Sequence, residues 1–351
     1  MKRVVVFCVL ALICALPVQG AELAVPGLDE LWKQAEEAGV ERDATLDGGL
    51  HSLLDDALAQ AGALFRISLS TAVKLMAVVL LCSLAESAGS GESLRAVQIA
   101  GALAVTTLTM TDMAAMIGLG RDTLARMEDI SAVLLPAMAV LTAATGSVTA
   151  AAARQGATIL FSQLLITAMD RLLVPLVYAY VAAVCAHAAV GNPGLKKTAD
   201  LIRGGITFLL TALMLAFVGY LTASGAIAGS VDASAVKAAK LAISRAIPVV
   251  GGILADASES VLAGAGALRG TVGVVGLLVV LALCLTPFLR LALQYLVYKT
   301  AAALCATVAQ PGLSGLIDAI GSAFGLVLGM TGAGALVLLI SLVSAVGAVT
   351  P

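Results

Sequence analysis

Apolar runs about twenty residues long recur along this chain with only short polar stretches between them, which confines it to a bundle of membrane-crossing helices. A run of that length matches the roughly 30 Å hydrocarbon core of a bilayer, where every backbone polar group must find its partner inside the protein. A helix meets that demand within its own segment. The composition agrees, since 60% of the 351 residues are hydrophobic and only 12% are charged, where soluble domains carry about 25% charged residues. The expected fold class is all-α, a polytopic integral membrane protein.

The runs at 67–85, 96–119, 130–152, 204–228, 271–289 and 332–349 each read as one crossing. Residues 86–95 and 121–129 read as polar connections, and Arg154 with Gln155 as a membrane boundary. The stretch 156–190 is too long for one ordinary crossing and short for two, with Asp170 and Arg171 at its middle and Pro175 just beyond. It reads as a tight helical hairpin, which puts Lys196, Lys197 and Arg203 on the cytoplasmic side as the positive-inside bias prefers. A single long tilted helix is the alternative, and it would invert everything downstream. Residues 291–308 form a less apolar helix carrying Gln294 and Lys299, Pro311 and Gly312 break it, and 313–329 is a glycine-rich amphipathic piece. Counting by apolar runs gives about seven or eight crossings.

The chain opens on Lys2 and Arg3, an apolar stretch at 4–16, Pro17, and small or modest side chains at Val18 and Gly20. This pattern reads as a signal peptide over 1–20, with an uncleaved first anchor as the alternative. An acidic, helical, extracytoplasmic segment over 21–65 follows. Ten of the 22 acidic residues fall within 21–63, against two bases, Lys33 and Arg42, which argues against nucleic acid as a partner. Membrane helices then occupy 66–231 and 270–351, on either side of a polar stretch at 232–269.

Little in the chain points to catalysis. Cys82, Cys185, Cys284 and Cys305 stand singly in apolar runs, without the paired spacing of a zinc site or a disulfide framework. His51 and His187 are the only histidines. No nucleophile with its base, no metal cluster and no pair of catalytic carboxylates can be assembled, so neither an enzyme nor a cofactor is expected. Gly264, Gly266 and Gly270 lack the preceding strand and the following acid of a dinucleotide-binding loop. Gly270, Gly273 and Gly276, and again Gly321, Gly325 and Gly329, place small residues along one helix side, a pattern for close helix packing within the chain or between copies of it.

Charged residues in apolar surroundings carry more functional weight, because ionised groups there are costly and face a bundle interior or water. They are Lys74, Asp112, Asp170, Arg171, Arg290, Lys299 and Asp318. Lys74 and Asp112 are the candidate intramembrane polar pair, with snorkelling or a structural interhelical bond as the other readings; Arg290 and Lys299 are long enough to snorkel.

The polar stretch 232–269 divides at a proline. Val236, Ala239, Ile243 and Ala246 line one side of a helix whose other side carries Lys237 and Lys240, with Arg245 near its end. Pro248 stops that helix, and Gly251 with Gly252 permits a sharp change of direction. A second helix sets Ile253, Leu254, Ala257, Val261 and Leu262 against Asp256 and Glu259. The result is an amphipathic hairpin with one basic and one acidic helix. It either lies on the membrane surface or folds its opposite charges together and presents a polar face to a partner or an aqueous path.

The order of residues here carries a resemblance. The run VKAAKLAISRAIPVVGGILADASESV at 236–261 resembles the hallmark of the stage III sporulation protein AE family. The similarity continues through Leu268, Arg269 and Gly270, through Gly273 to Gly276, and through Tyr298, Lys299 and Thr300 with the three alanines that follow. Arg269 stands where many relatives are expected to carry lysine. The resemblance implies a multi-pass protein of the mother-cell membrane that surrounds the forespore in endospore-forming bacteria. It implies a place in a channel or secretion-like assembly needed for late forespore gene expression. The partners it implies are the other stage III sporulation A-operon proteins and, in the forespore membrane, stage II sporulation protein Q. A stand-alone secondary transporter is the competing function, and its mark would be discontinuous helices with buried charged pairs near the midplane.

Overall fold

The computed structural model describes residues 46–88, 92–144, 150–223, 271–308 and 311–347, together with Lys33. The expected signal peptide, most of the acidic segment and the hairpin at 232–269 lie outside the described residues. So do its members Lys237, Lys240, Arg245, Pro248, Gly251, Gly252, Asp256 and Glu259. Every described element is helical: α1 (Leu46–Ala88), α2 (Glu92–Ala144), α3 (Ala150–Ala168), a π-helical turn (Met169–Leu173), α4 (Val174–Val190), α5 (Pro193–Ala223), α6 (Thr271–Cys305) and α7 (Pro311–Gly347). Six helical stretches among them are long and apolar enough to cross a membrane.

Four stretches expected to be interrupted are continuous. Residues 96–119 and 130–152 were expected as separate crossings, yet α2 runs unbroken from Glu92 to Ala144 through the polar stretch between them. Two of the five charged side chains in that stretch are met by the neighbouring rod: Arg121 Nε meets Asp170 Oδ1 at 3.1 Å, and Thr167 Oγ1 donates to Glu128 Oε1 at 3.2 Å. The expected hairpin within 156–190 is instead one rod, in which both residues flanking the π turn keep right-handed helical angles. Pro175, whose missing N–H removes one rung of the backbone ladder, lies two residues after the π-helical turn, where the regular i to i−4 pattern already changes. Likewise α6 continues through Pro287, and α7 joins the two glycine-rich pieces expected at 313–329 and 332–349.

The sharp turn falls at Gly191. This residue takes φ 73°, a left-handed conformation that glycine adopts without strain, and its N–H donates to His187 O at 2.7 Å to close α4. Asn192 Oδ1 accepts the Gly194 N–H at 2.8 Å, and Pro193 opens α5.

The contacts set the directions. α1 and α6 run parallel, with Ser68 bonded to Gln294 and Ser83 to the Val308 carbonyl. α2 and α7 also run parallel, since Gly101 lies against Leu313, Gly120 against Val327, and Gly334 against Leu124 and Met127. One end of the bundle therefore gathers the α1–α2 connection, the 191–192 turn and the α6–α7 connection. Two expected extra crossings vanish before residue 191, so the number of membrane-length stretches described before it is odd, as in the count from sequence.

α7 occupies the middle. Of an 18-residue apolar window within Gly312–Leu342, 89% is buried inside the bundle, against 22% to 33% for the corresponding windows of the other five stretches. Phe324, Leu326, Met330, Val337 and Leu342 are almost wholly enclosed. The outer helices expose Leu201, Phe208, Leu160 and Leu164, as lipid-facing surfaces do. Small residues permit the enclosure: a Cβ added at Gly321 would stand 3.1 Å from Tyr298 Cβ, so α6 and α7 meet there at backbone range.

Candidate functional site

Several polar side chains inside the bundle gather around the first half of α7. On one flank, Ser68 Oγ donates to Gln294 Oε1 at 2.8 Å, and Gln294 Nε2 donates to Asp112 Oδ2 at 3.1 Å. Tyr298 Oη donates to the same Oδ2 at 3.0 Å. Ser68, Gln294 and Tyr298 are buried, and Asp112 is half-buried near the middle of the stretch Ala96–Ala132. Gln294 and Tyr298 share a face of α6 because four residues make about one helical turn. An ionised carboxylate at the centre of a membrane helix costs about 2.5–3.5 kcal/mol by insertion scales. Two hydrogen bonds to a charged group, each contributing about 1.5–3 kcal/mol, are of the size needed to offset that.

One residue further along α6, Lys299 turns to α7. Its Nζ donates to Asp318 Oδ1 at 2.6 Å, to Ser322 Oγ at 2.8 Å and to the Asp318 carbonyl at 3.2 Å. On the far flank, Tyr180 Oη on α4 donates to the Ala319 carbonyl at 3.1 Å. Beside it a cavity of about 240 Å³ opens between α4, α5 and α7, lined by Tyr180, His187, Lys196, Asp200, Arg203 and Asp318 among others.

The structure brings some sequence-flagged residues together and keeps others apart. Lys299 and Asp318 form an ion pair, and Asp170 pairs with Arg121. Lys74 and Asp112 are not joined: Lys74 is exposed on α1, and Asp112 takes its bonds from Gln294 and Tyr298. Arg171 and Arg290 are exposed. Gln294, Tyr298, Asp200 and Arg203 are the functional candidates that reading the sequence did not single out for such a role. Their only local signal is spacing, i to i+4 for the first two and i to i+3 for the others, which sets each pair on one helix face.

A long-helix bundle with a buried polar seam and an apolar exterior is an integral membrane protein of the polytopic α-helical class. Its sequence matches the family model described as Stage III sporulation protein AE over residues 41–349. The chain belongs to that family. One relative, the Stage III sporulation protein AE of Bacillus subtilis (strain 168), is 28% identical over 108 residues, which are 31% of this chain and 27% of that protein. The match thus spans about a quarter of the relative's length. No solved structure matches the chain.

Proposed function

We propose that this sporulation protein is a membrane component of the channel or secretion-like assembly between mother cell and forespore, acting in endospore formation and late forespore gene expression. The observation that carries the reading is the family match across 41–349, which includes both the described bundle and the hairpin region. The bundle supports a particular version of it. Because α7 fills the axis among the described residues, the path for any cargo lies between copies of this chain or between it and its partners. Those partners are the other stage III sporulation A-operon proteins and stage II sporulation protein Q, and the site of action is the mother-cell membrane around the forespore.

The proposed orientation puts the 191–192 turn, with Lys196, Lys197 and Arg203, in the mother-cell cytoplasm. The hairpin at 232–269 then faces the intermembrane space. Deleting the gene in its spore-forming host tests the reading: engulfment should proceed, late forespore transcription should fail, and normal spores would overturn it. A stand-alone transporter is the second reading, favoured by Asp112 and its donors within the membrane stretch. Normal uptake phenotypes alongside the sporulation block would set it aside.

A further inference from the structure

The cavity between α4, α5 and α7 carries charges of both signs that do not neutralise one another. Lys196, Asp200 and Arg203 all project from α5 at spacings that normally form ion pairs along a helix. Among the described residues none of the three forms a salt bridge or a side-chain hydrogen bond. Asp318 contributes a second carboxylate from α7, with Oδ1 held by Lys299 and its side chain 51% exposed. Tyr180 and His187 complete the wall from α4, and each has a fixed orientation: Tyr180 Oη donates to the Ala319 carbonyl, and His187 Nδ1 donates to the Asn192 carbonyl at 2.9 Å. Two cationic and two anionic side chains are thus arranged around about 240 Å³ of space by a rigid turn and three packed helices.

The position narrows the ligand. The cavity lies beside the Gly191 turn, where the apolar stretches Gly156–Val190 and Pro193–Leu221 meet. If those stretches cross the bilayer, their meeting point lies at its headgroup side. On the outer surface of α5, Leu201 and Phe208 are 76% and 72% exposed, an apolar track that suits acyl chains running away from the cavity. Clefts of this kind between helices at a membrane face commonly take lipid headgroups.

We propose that this cavity binds the phosphoethanolamine headgroup of a bilayer phospholipid. The phosphate sits with Lys196 and Arg203, and the primary ammonium with Asp200 and the free edge of Asp318. A purely anionic headgroup would leave Asp200 facing like charge. A choline headgroup has no N–H to give the carboxylates. The proposal is independent of the channel reading, since it concerns how this chain is held in its membrane.

The test uses the full chain, purified in detergent, stripped of lipid and followed by native mass spectrometry. Phosphatidylethanolamine, phosphatidylcholine and phosphatidylglycerol with the same acyl chains are offered separately, and water-soluble glycerophosphoethanolamine is offered as a further probe. Phosphatidylethanolamine should be retained best, and Arg203→Gln or Asp200→Asn should each weaken its retention by about tenfold, the effect of losing one charge contact near 1.4 kcal/mol. Lys197→Gln, one residue from Lys196 but outside the cavity lining, should change nothing. Asp200 is exposed, and among the described residues neither its side chain nor that of Arg203 is bonded to another group, so both variants test binding in a folded protein. Equal retention of the three lipids, preference for phosphatidylglycerol, or an unchanged preference in Asp200→Asn would overturn the proposal. Tight binding of glycerophosphoethanolamine without any lipid preference would overturn the bilayer as the source.

Discussion

Gly321 of α7 lies flush against Tyr298 of α6, with the place of its missing Cβ 3.1 Å from the tyrosine Cβ and 3.5 Å from the Lys299 backbone nitrogen. The tyrosine has no room to yield. Its ring packs edge to face on Phe324 with centroids 4.9 Å apart, and its hydroxyl is bound to Asp112. Close backbone approach and the polar cluster are therefore one arrangement, since the contact that brings the helices together also aims the hydroxyl.

The two glycines of α2 at 118 and 120 should respond differently to the same change. A Cβ at Gly120 would collide with Val327 Cγ1, whereas one at Gly118 meets nothing within 4 Å. Gly120→Ala should destabilise the protein by about 1–3 kcal/mol, the range for overpacking a core. Gly118→Ala should be neutral or slightly stabilising, because alanine favours helix by up to about 1 kcal/mol over glycine. Thermal unfolding of both variants in the same detergent decides the matter.

Removing the hydroxyl in Tyr298→Phe keeps the ring against Phe324 and takes one donor from Asp112. The expected loss is about 1.5–3 kcal/mol, as for a hydrogen bond to a charged group. In the Asp112→Asn background the same change should cost measurably less. Equal costs in the two backgrounds, read by detergent denaturation, would mean that the two groups do not interact.

Lys299 and Asp318 should behave as a coupled pair. Lys299→Met leaves Asp318 and Ser322 without their shared donor, and Asp318→Asn leaves the ammonium without its carboxylate. A double-mutant cycle on these two changes should return a coupling energy of about 0.5–3 kcal/mol. A coupling near zero would contradict the 2.6 Å contact.

A covalent test reads the α1–α2 packing directly. The Cβ position of Gly101 is 2.7 Å from Cys82 Sγ, so a cysteine there and a small rotation of the Cys82 side chain bring two sulfurs into the same space. With the other cysteines replaced, Gly101→Cys should cross-link to Cys82 under mild oxidation and appear as one linked peptide pair after proteolysis. Gly118→Cys, more than about four turns further along α2, should remain reduced.

The helical class and the membrane setting were legible because they depend on local patterning, in which apolar runs of bilayer length leave the backbone no other solution. The breaks between helices were not. Residues 121–129 look like a connection because charges normally mark a membrane boundary, yet Arg121 and Glu128 are satisfied sideways by Asp170 and Thr167 on the neighbouring rod. That fact is tertiary and leaves no trace in the stretch itself. Asp170 and Pro175 misled in the same way, since the charge serves the interhelical pair and the proline is accommodated beside the π-helical turn.

The polar seam shows the same division. Lys299 and Asp318 stood out as charges in apolar runs, and the fold pairs them across a short connection. Opposite sign suggested Lys74 for Asp112, but Lys74 is exposed and the donors to the carboxylate lie 182 and 186 residues further along the chain. Neutral donors such as Gln294 and Tyr298 carry no sign to match, so charge patterning passes over them.

The enclosed position of α7 bears on how the molecule is made. It is the last described helix in the chain, yet it supplies the interior against which the others pack. During synthesis α1 to α6 enter the bilayer before their common filling exists, and the inward faces of those helices must wait for the residues from Pro311 onward. Closure of the bundle therefore waits on α7, which completes it from the inside after the other described helices are in place.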